Sequence, residues 1–172
     1  MKKFTVILPV KNGGVLIKEC IQSILSQSNK DFDLAILENC STDGTREWLQ
    51  SLNDEKIKIF PSDTPLTIEE NWGRIKYIPK NKFITLIGHD DLLQADYLAE
   101  MNSLIEKCPD ASLYQTHFRF INAEGNYIKQ CRKMAEKYTQ SEYLHAMLKD
   151  ELDSTGTGYM MRSADYDKSS GI

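Results

Sequence analysis

The chain has 172 residues, an ordinary size for one domain and short for two. Its 41% hydrophobic and 27% charged residues exclude intrinsic disorder, collagen-like repeats and coiled coils. The net charge of -4, from 21 basic and 25 acidic residues, argues against non-specific nucleic-acid binding, because phosphate neutralisation requires an excess of clustered Lys and Arg.

The first half of the chain alternates between short apolar runs and amphipathic segments. Residues 4–10 form a β-branched apolar run, for which a strand is favoured over a signal peptide because Pro9 and Lys11 cut the run short. The next predicted elements are a helix over about 15–28, a strand over 32–38, a helix over 45–52, a half-exposed or edge strand over 56–60, a helix over 68–78 and a strand over 82–87. This alternation predicts right-handed crossovers and a mostly parallel sheet with helices on both faces, a doubly wound α/β fold.

The second half continues with less regular elements. Apolar residues between Ala95 and Ile105 predict a helix, and residues 112–121 predict a strand that turns at Gly125-Asn126 into a short return strand. A late helical segment carries side chains that either line an acceptor site or pack in a core, namely Tyr138, Tyr143, His145, Met147 and Leu148. No repeat, low-complexity segment or linker marks a second domain, so we expect a single domain over residues 1–172.

The cysteine spacing and the hydropathy indicate the cellular compartment in which the protein is expected. The cysteines form no C-x-x-C pair and have no histidine at metal-ligand spacing, so we expect reduced thiols in a cytosolic chain. They are Cys20, Cys40, Cys108 and Cys131. No run approaches the ~20 apolar residues that a membrane-spanning helix needs, so we expect any membrane association to be peripheral.

The residues that directly follow the strands are the candidates for function, since ligands of such sheets bind outside the carboxyl ends of the strands. These residues are 11–14, 38–44 and 88–91. Neither Gly13-Gly14 nor residues 41–45 have the glycine spacing of a dinucleotide fingerprint or a P-loop. The sequence therefore disfavours a nicotinamide dehydrogenase and a Walker-type NTPase.

Asp90-Asp91, which follows a buried strand and a glycine, is the strongest chemical signal. Because successive side chains of an extended backbone point to opposite sides, we expect two separate duties rather than a shared-proton pair. One carboxylate would accept hydrogen bonds from a sugar hydroxyl, and the other would bind Mg²⁺ or Mn²⁺ beside a diphosphate. The alternative is that both aspartates cap a helix that begins near residues 92–94. His89 is expected to be solvated or structurally bonded rather than a metal ligand.

Several stretches together resemble family 2 glycosyltransferases, which have the GT-A fold. Pro9-Val10-Lys11-Asn12 resembles the P-V-Y-N segment that follows the first strand of that family. The further matches, in chain order, are Ser23 to Ser28 with S-I/V-L-x-Q-T/S, Leu37 to Thr45 with V-D-D-G-S-T-D-G-T, Asn71 to Arg74 with N-W-N-R, and Gly88 to Leu93 with the H-Q-D-D-L-L of members that act on bacterial polysaccharides.

The resemblance implies a metal-dependent, inverting enzyme that transfers a sugar from a UDP-sugar to a hydroxyl of a surface-glycan or lipid-linked acceptor. It implies a Rossmann-like sheet with a small C-terminal hairpin and helix region. It also implies a Mg²⁺ or Mn²⁺ cofactor and a cytoplasmic enzyme that acts at the inner face of the cytoplasmic membrane. Residues 1–93 would form the nucleotide-sugar-binding part and 94–172 the start of a truncated acceptor part. The implied nucleotide-sugar-binding residues are Pro9, Val10, Asn12, Glu38, Asn39, Asn71 and Asp90, and the metal ligand is Asp91.

The chain departs from the family pattern at three points. Asn39 replaces the second aspartate, and Lys11 replaces a tyrosine. The general base of the family follows a G-G-F/Y segment downstream of the region that matches residues 156–162, so we expect the base beyond Ile172. By their order in the sequence, we expect the acidic side chains nearest to that region to be solvated; they are Asp150, Glu151 and Asp153.

The same residues also allow other interpretations of the function and of single side chains. A chain without its base would be a catalytically incomplete nucleotide-sugar-binding module. A nucleotidyltransferase is a weaker alternative, since its glycine- and arginine-rich loop is absent. Asn12 and Asp43 also suit a purely turn-stabilising role. Trp48 and Trp72 are expected in the core rather than as sugar platforms.

Overall fold

A six-stranded sheet forms the centre of the computed structural model, which describes residues 2–153 and 155–169. The elements of the first half are β1 (Phe4–Val10), α1 (Leu16–Leu25), β2 (Phe32–Asn39), α2 (Thr45–Ser51), β3 (Ile57–Ser62), α3 (Ile68–Gly73), a 3₁₀ helix (Arg74–Tyr77) and β4 (Phe83–Leu86). They are followed by α4 (Tyr97–Lys107), β5 (Leu113–Gln115), β6 (Arg119–Ile121), β7 (Tyr127–Gln130), α5 (Gln140–Leu148), β8 (Tyr159–Arg162) and α6 (Ser163–Lys168).

The strand order of the sheet is β3-β2-β1-β4-β8-β5. The pairs among β3, β2, β1 and β4 are parallel, and β8 is antiparallel to both β4 and β5. The predicted mostly parallel α/β sheet is therefore confirmed, and β3 is the edge strand that its alternating pattern indicated. The single predicted strand over 112–121 is wrong, because the structure breaks it into β5 of the sheet and β6 of a separate hairpin.

The core lies on both faces of the sheet, as the buried and nearly uniformly apolar β1 requires. On one face, Phe4, Val6 and Leu8 of β1 pack with α1, α2 and α4. On the other face, Ile7 packs with the 3₁₀ helix and α6. Trp48 and Trp72 are partly buried and pack against these two clusters, which agrees with the predicted packing role.

The described chain divides into two compact units. One unit contains the residues up to Gln115 together with those from Thr157 onward, and it includes the whole six-stranded sheet. The other unit is Thr116–Gly156, in which β6 and β7 form the predicted antiparallel hairpin and α5 follows. None of the helices within the described residues is both long and apolar enough to cross a membrane.

The turn after β1 is tightly packed at Gly13. A β-carbon at this position would lie 2.8 Å from Cβ of Ile17 and 2.9 Å from Cγ2 of Val10. Both neighbours are buried and belong to β1 and α1, so they have little freedom to move away.

We therefore expect Gly13→Ala to lower the free energy of unfolding by about 1–3 kcal/mol through overpacking. Gly73→Ala is the matched control, because a β-carbon at Gly73 meets no atom within 4 Å and its backbone is helical. The control should be neutral or stabilising by up to about 1 kcal/mol. Urea unfolding monitored by circular dichroism measures both variants, and equal stabilities would contradict the packing argument.

Candidate functional site

The strand order creates a switch point between β1 and β4, since the chain leaves β1 toward β2 on one side and places β4 on the other. Ligands of open α/β sheets bind in the crevice outside the carboxyl ends of the strands at such a point. The turns that follow the two strands, residues 11–15 and 88–91, lie at this edge. Function is therefore expected here.

Asp90 and Asp91 lie in a tight turn directly after β4. The Asp91 N–H donates to the Gly88 carbonyl oxygen at 3.1 Å, and both carboxylates fold over the same glycine. A β-carbon at Gly88 would lie 2.9 Å from Asp90 Oδ1 and 3.0 Å from Asp91 Oδ2. The expectation that the two side chains point to opposite sides is wrong, because the backbone turns at His89 and Asp90 instead of staying extended.

The capping alternative for the two aspartates is also wrong. Helix α4 begins at Tyr97, and its N-cap position is Asp96. Asp90 and Asp91 thus lie outside the first turn of any helix, and both are exposed to solvent. Their carboxylates have no helix-capping duty that would explain them.

The C-terminal end of α1 and the residues directly after it hold the chain that follows the aspartates. The buried Gln27 side chain donates from Nε2 to the Gln94 carbonyl oxygen at 2.7 Å and accepts from the Leu98 N–H at 2.9 Å. Ser23 Oγ accepts from the Leu93 N–H at 3.1 Å. Sequence reasoning did not assign these two side chains to the site, although the S-I-L-x-Q match contains both.

Cys20 of α1 lies beneath the turn. Its thiol is buried and donates to the Gly88 carbonyl oxygen over 3.4 Å. Burial, together with the nearby charges of Asp91 and Asp90, raises the pKa of Cys20 to about 12. The thiol therefore stays protonated at neutral pH and acts as a hydrogen-bond donor that supports the turn. All four cysteines, which lie within the described residues, are free thiols.

The turns after β1 and β2 are joined by hydrogen bonds. Asn12 takes a left-handed backbone with φ of 54°, donates its N–H to Ser41 Oγ at 2.9 Å, and accepts from the Thr42 N–H at 2.8 Å through Oδ1. The turn-stabilising role considered for Asn12 is therefore present in the structure.

Asp43 joins the same two turns. Its Oδ2 accepts from the Gly14 N–H and its Oδ1 from the Thr45 N–H, both at 3.0 Å. A hydrogen bond with the Thr45 side chain is the largest cause that holds the pKa of Asp43 below its usual value, and the two backbone bonds lower it as well. The charged form of Asp43 thus fixes the β2–α2 turn.

Glu38 is fully buried at the carboxyl end of β2. Its Oε2 accepts from Arg46 Nε at 2.6 Å, and its Oε1 accepts from the Ser41 N–H at 2.6 Å. Arg46 also donates to the Ser62 carbonyl oxygen at the end of β3. Both oxygens of the carboxylate therefore hold neighbouring chain in place.

The side-chain amide of Asn39 makes two hydrogen bonds to the backbone of Leu66, one as donor and one as acceptor. Its Nδ2 donates to the Leu66 carbonyl oxygen at 2.9 Å, and the Leu66 N–H donates to its Oδ1 at 2.8 Å. The side chain is buried and fastens the β3–α3 loop to β2. An aspartate, the residue of the family pattern, has no donor for the Leu66 carbonyl.

Asn71 joins the group around Glu38. Its Nδ2 donates to the Leu37 carbonyl oxygen at 3.3 Å, and its Oδ1 accepts from Arg74 Nη1 at 2.9 Å. Arg74 also donates to the Glu38 carbonyl oxygen at 3.2 Å. The structure thus gathers Glu38, Asn39 and Asn71 around the end of β2.

The remaining predicted residues differ in exposure. Pro9 and Val10 are buried at the end of β1. Within the second unit, Tyr138 and Tyr143 form an edge-to-face pair with centroids 6.0 Å apart, whereas His145, Met147 and Leu148 are exposed.

The acidic side chains of the second unit do not all match their predicted exposure. Asp150 and Glu151 are exposed, as predicted. The prediction of a solvated side chain is wrong for Asp153, which is only 12% exposed and whose Oδ2 accepts from the Arg132 N–H at 2.6 Å.

The donor chemistry at the β4 turn suits a hard cation that is shared with a ligand. Among the described residues, no cluster of three or more His, Cys, Asp and Glu side chains could hold a metal by itself. Mg²⁺ is commonly bound by one or two carboxylates, with substrate phosphates and water completing the shell. The paired carboxylates over Gly88 fit that arrangement.

Comparison with protein families gives a match over nearly the whole chain. The model of a family described as "Glycosyl transferase family 2" matches residues 5–169. A GalNAc(5)-diNAcBac-PP-undecaprenol beta-1,3-glucosyltransferase of Campylobacter jejuni is 28% identical over 140 residues, which are 76% of this chain and 42% of that protein. An uncharacterized glycosyltransferase of Haemophilus influenzae is 28% identical over 136 residues, covering 75% of this chain and 52% of that protein.

Solved structures confirm the predicted GT-A fold. The crystal structure of S. aureus TarS 1-349 in complex with UDP-GlcNAc aligns with a TM-score of 0.77 and 18% identity, covering 97% of this chain and 47% of that one. The chain therefore spans about half the length of these three proteins.

The Asn39 contacts generate a prediction. We expect Asn39→Asp to lower the free energy of unfolding by about 1–3 kcal/mol, because it leaves the Leu66 carbonyl without its donor and places a carboxylate beside it.

Asn122→Asp is the matched control for this change. Asn122 is exposed and uses only its oxygen, which accepts from the N–H groups of Glu124 and Asn126. A carboxylate accepts these bonds equally well, so the control should keep its stability within about 0.5 kcal/mol. Urea titrations at neutral pH measure both variants, and an unchanged midpoint for Asn39→Asp would contradict the assigned role.

Proposed function

The chain belongs to glycosyl transferase family 2, and we propose that it transfers a sugar from a nucleoside diphosphate donor, a UDP-sugar, to a hydroxyl group with inversion at the anomeric carbon. The observation that carries this proposal is the carboxylate pair Asp90-Asp91 over Gly88, at the carboxyl end of β4 beside the switch point. The proposed acceptor is a surface glycan or a lipid-linked glycan at the cytoplasmic face of a membrane. The undecaprenol-linked substrate in the name of the Campylobacter relative supports this class of acceptor.

Charge at the carboxylate pair favours a metal–diphosphate complex over a diphosphate alone. A carboxylate and a phosphate charge about 4 Å apart repel by about 4 kcal/mol at an effective dielectric constant near 20. We propose that Asp91 binds Mg²⁺ or Mn²⁺, which supplies positive charge that offsets the charge on the departing diphosphate. The mannosyltransferase PcManGT, a structure of similar fold with a TM-score of 0.54, is described in complex with GDP-Man and Mn2+ and supports this choice.

Asp90 is proposed to accept hydrogen bonds from hydroxyls of the ribose or the donor sugar. Its carboxylate is exposed and lies beside Asp91, so a donor whose diphosphate meets the cation brings sugar hydroxyls within its reach. We propose residues 1–93 as the nucleotide-sugar-binding part and the residues from 94 onward as belonging to the acceptor part.

The residues at the ends of β1 and β2 are proposed to form the nucleotide side of the site. Pro9, Val10 and Asn12 would border the base and ribose. The side chains of Glu38, Asn39 and Asn71 bond to neighbouring backbone groups in the described structure. We therefore propose that they fix the shape of the surface that meets the base, which we call the base-binding wall. The ordered loops between these strands would then meet the base mainly through backbone groups.

Binding of UDP tests the donor site. We expect isothermal titration calorimetry to show UDP binding that strengthens with Mn²⁺, and we expect Asp91→Asn to weaken the Mn²⁺-dependent binding at least tenfold, or by about 1.4 kcal/mol. Asp110→Asn, at an exposed aspartate beyond α4, is the charge-matched control and should bind like the wild type. UDP binding that ignores Mn²⁺, or that survives Asp91→Asn unchanged, would contradict the donor site.

Turnover separates an enzyme from a binding module. Release of UDP from UDP-sugars, with and without added glycan acceptors, is expected for the enzyme and absent for the module. Because the chain covers about half of its relatives, the same assay on a relative of full length gives the reference rate.

A further inference from the structure

The segment before β8 is anchored on the end of β4. The Gly158 N–H donates to the Leu86 carbonyl oxygen at 2.8 Å. The buried Tyr97 hydroxyl donates to the Gly158 carbonyl oxygen at 3.1 Å and lies 2.8 Å from Thr85 Oγ1 of β4. Both contacts belong to the unit that contains the sheet, and they fix the backbone next to Thr157.

Thr157 reaches Asp91 from this anchored segment. Its Oγ1 donates to Asp91 Oδ2 at 2.7 Å. The two residues are 66 positions apart in the chain, so the contact depends on the antiparallel insertion of β8 beside β4. A hydroxyl that donates to a carboxylate makes a charge-assisted hydrogen bond, which is shorter and stronger than a neutral one.

We propose that Thr157 is a positioning residue for Asp91, and that it holds the carboxylate in the orientation that binds the divalent cation. This inference rests on the proposed function, in which Asp91 is the metal ligand. Thr157 touches neither cation nor donor in this proposal, and it acts only through Asp91.

Asp91 needs such a partner because of its neighbours. It is an exposed side chain, and its carboxylate lies over Gly88 together with that of Asp90, so mutual repulsion drives the two apart. A bond from Thr157 opposes this movement. A carboxylate offers about four lone-pair positions, so one hydroxyl leaves capacity for a cation.

The chemical type of the partner also fits. A Lys or Arg at this position would orient Asp91 equally well, but its positive charge would compete with the cation. A threonine hydroxyl adds no charge and leaves the pair with its full negative charge. Groups that orient metal ligands in this way typically contribute 10–100-fold to metal affinity.

The test measures Mn²⁺ binding in the presence of saturating UDP, by the loss of the free Mn²⁺ electron paramagnetic resonance signal. We expect Thr157→Val to weaken Mn²⁺ about tenfold and Thr157→Ser to stay within about threefold of the wild type. Ser112→Ala, at an exposed serine directly before β5, is the control for the loss of a surface hydroxyl and should bind like the wild type. Calorimetry without metal should give the same UDP affinity for all four proteins.

A double-mutant cycle with Asp91→Asn tests whether Thr157 influences Mn²⁺ binding through Asp91. If Thr157 acts through Asp91, adding Thr157→Val to Asp91→Asn should cause no further loss of Mn²⁺ binding. Thermal unfolding by circular dichroism checks the fold of each variant, and Thr157→Ala replaces Thr157→Val should the valine variant fail to fold.

Three outcomes would overturn the inference: unchanged Mn²⁺ affinity in Thr157→Val, an equal loss in Thr157→Ser, or an equal loss of UDP affinity without metal. Absence of Mn²⁺-dependent UDP binding in the wild type would instead contradict the proposed function, and the inference would fall with it. The two failures are therefore distinguishable by the behaviour of the wild-type protein.

Discussion

The candidate site depends on the early end of the hydrogen-bond ladder between β1 and β4. The β1–β2 ladder runs to Val10 and Glu38, whereas the β1–β4 ladder ends at Ile7 and Leu86. Alternate residues of a parallel strand bond to the same neighbour, and the Ile7 carbonyl accepts from the Ile87 N–H on the β4 side. Pro9, two residues later, faces that side without an N–H to offer. The sheet therefore opens where the turn with Asp90 and Asp91 begins.

The polar residues at the opened edge are of two kinds. Around β2, the side chains satisfy one another and the loop backbone, and Glu38, Asn39 and Asn71 are buried in doing so. After β4, Asp90 and Asp91 stay exposed, while Cys20 bonds to the Gly88 carbonyl beneath them and Thr157 donates to Asp91. Buried polar groups need partners within the protein, while exposed carboxylates keep capacity for a ligand. The division separates a wall of hydrogen-bonded, buried side chains from a pair of exposed carboxylates.

Hydropathy patterns predicted the sheet well, because a strand buried on both faces must be apolar throughout and a helix over it must carry an apolar stripe. The aspartate turn could also be located, since the end of a strand is defined by where its apolar run stops. The strand predicted over 112–121 failed because β5 and β6 lie in different units, and no local signal separates them. Thr157 was missed for the same reason, since its contact with Asp91 depends on the placement of β8.

Asn39 shows why a family pattern cannot be transferred residue by residue without its surroundings. The amide at this position is not a weakened aspartate, because its second group donates to the Leu66 carbonyl and thereby orders the β3–α3 loop. Glu38, at the other acidic position, is held by Arg46, which in turn reaches the end of β3. The two side chains thus connect β2 to both ends of the β3–α3 region. In the proposed function, the two residues together set the shape of the wall that would meet the base of the donor.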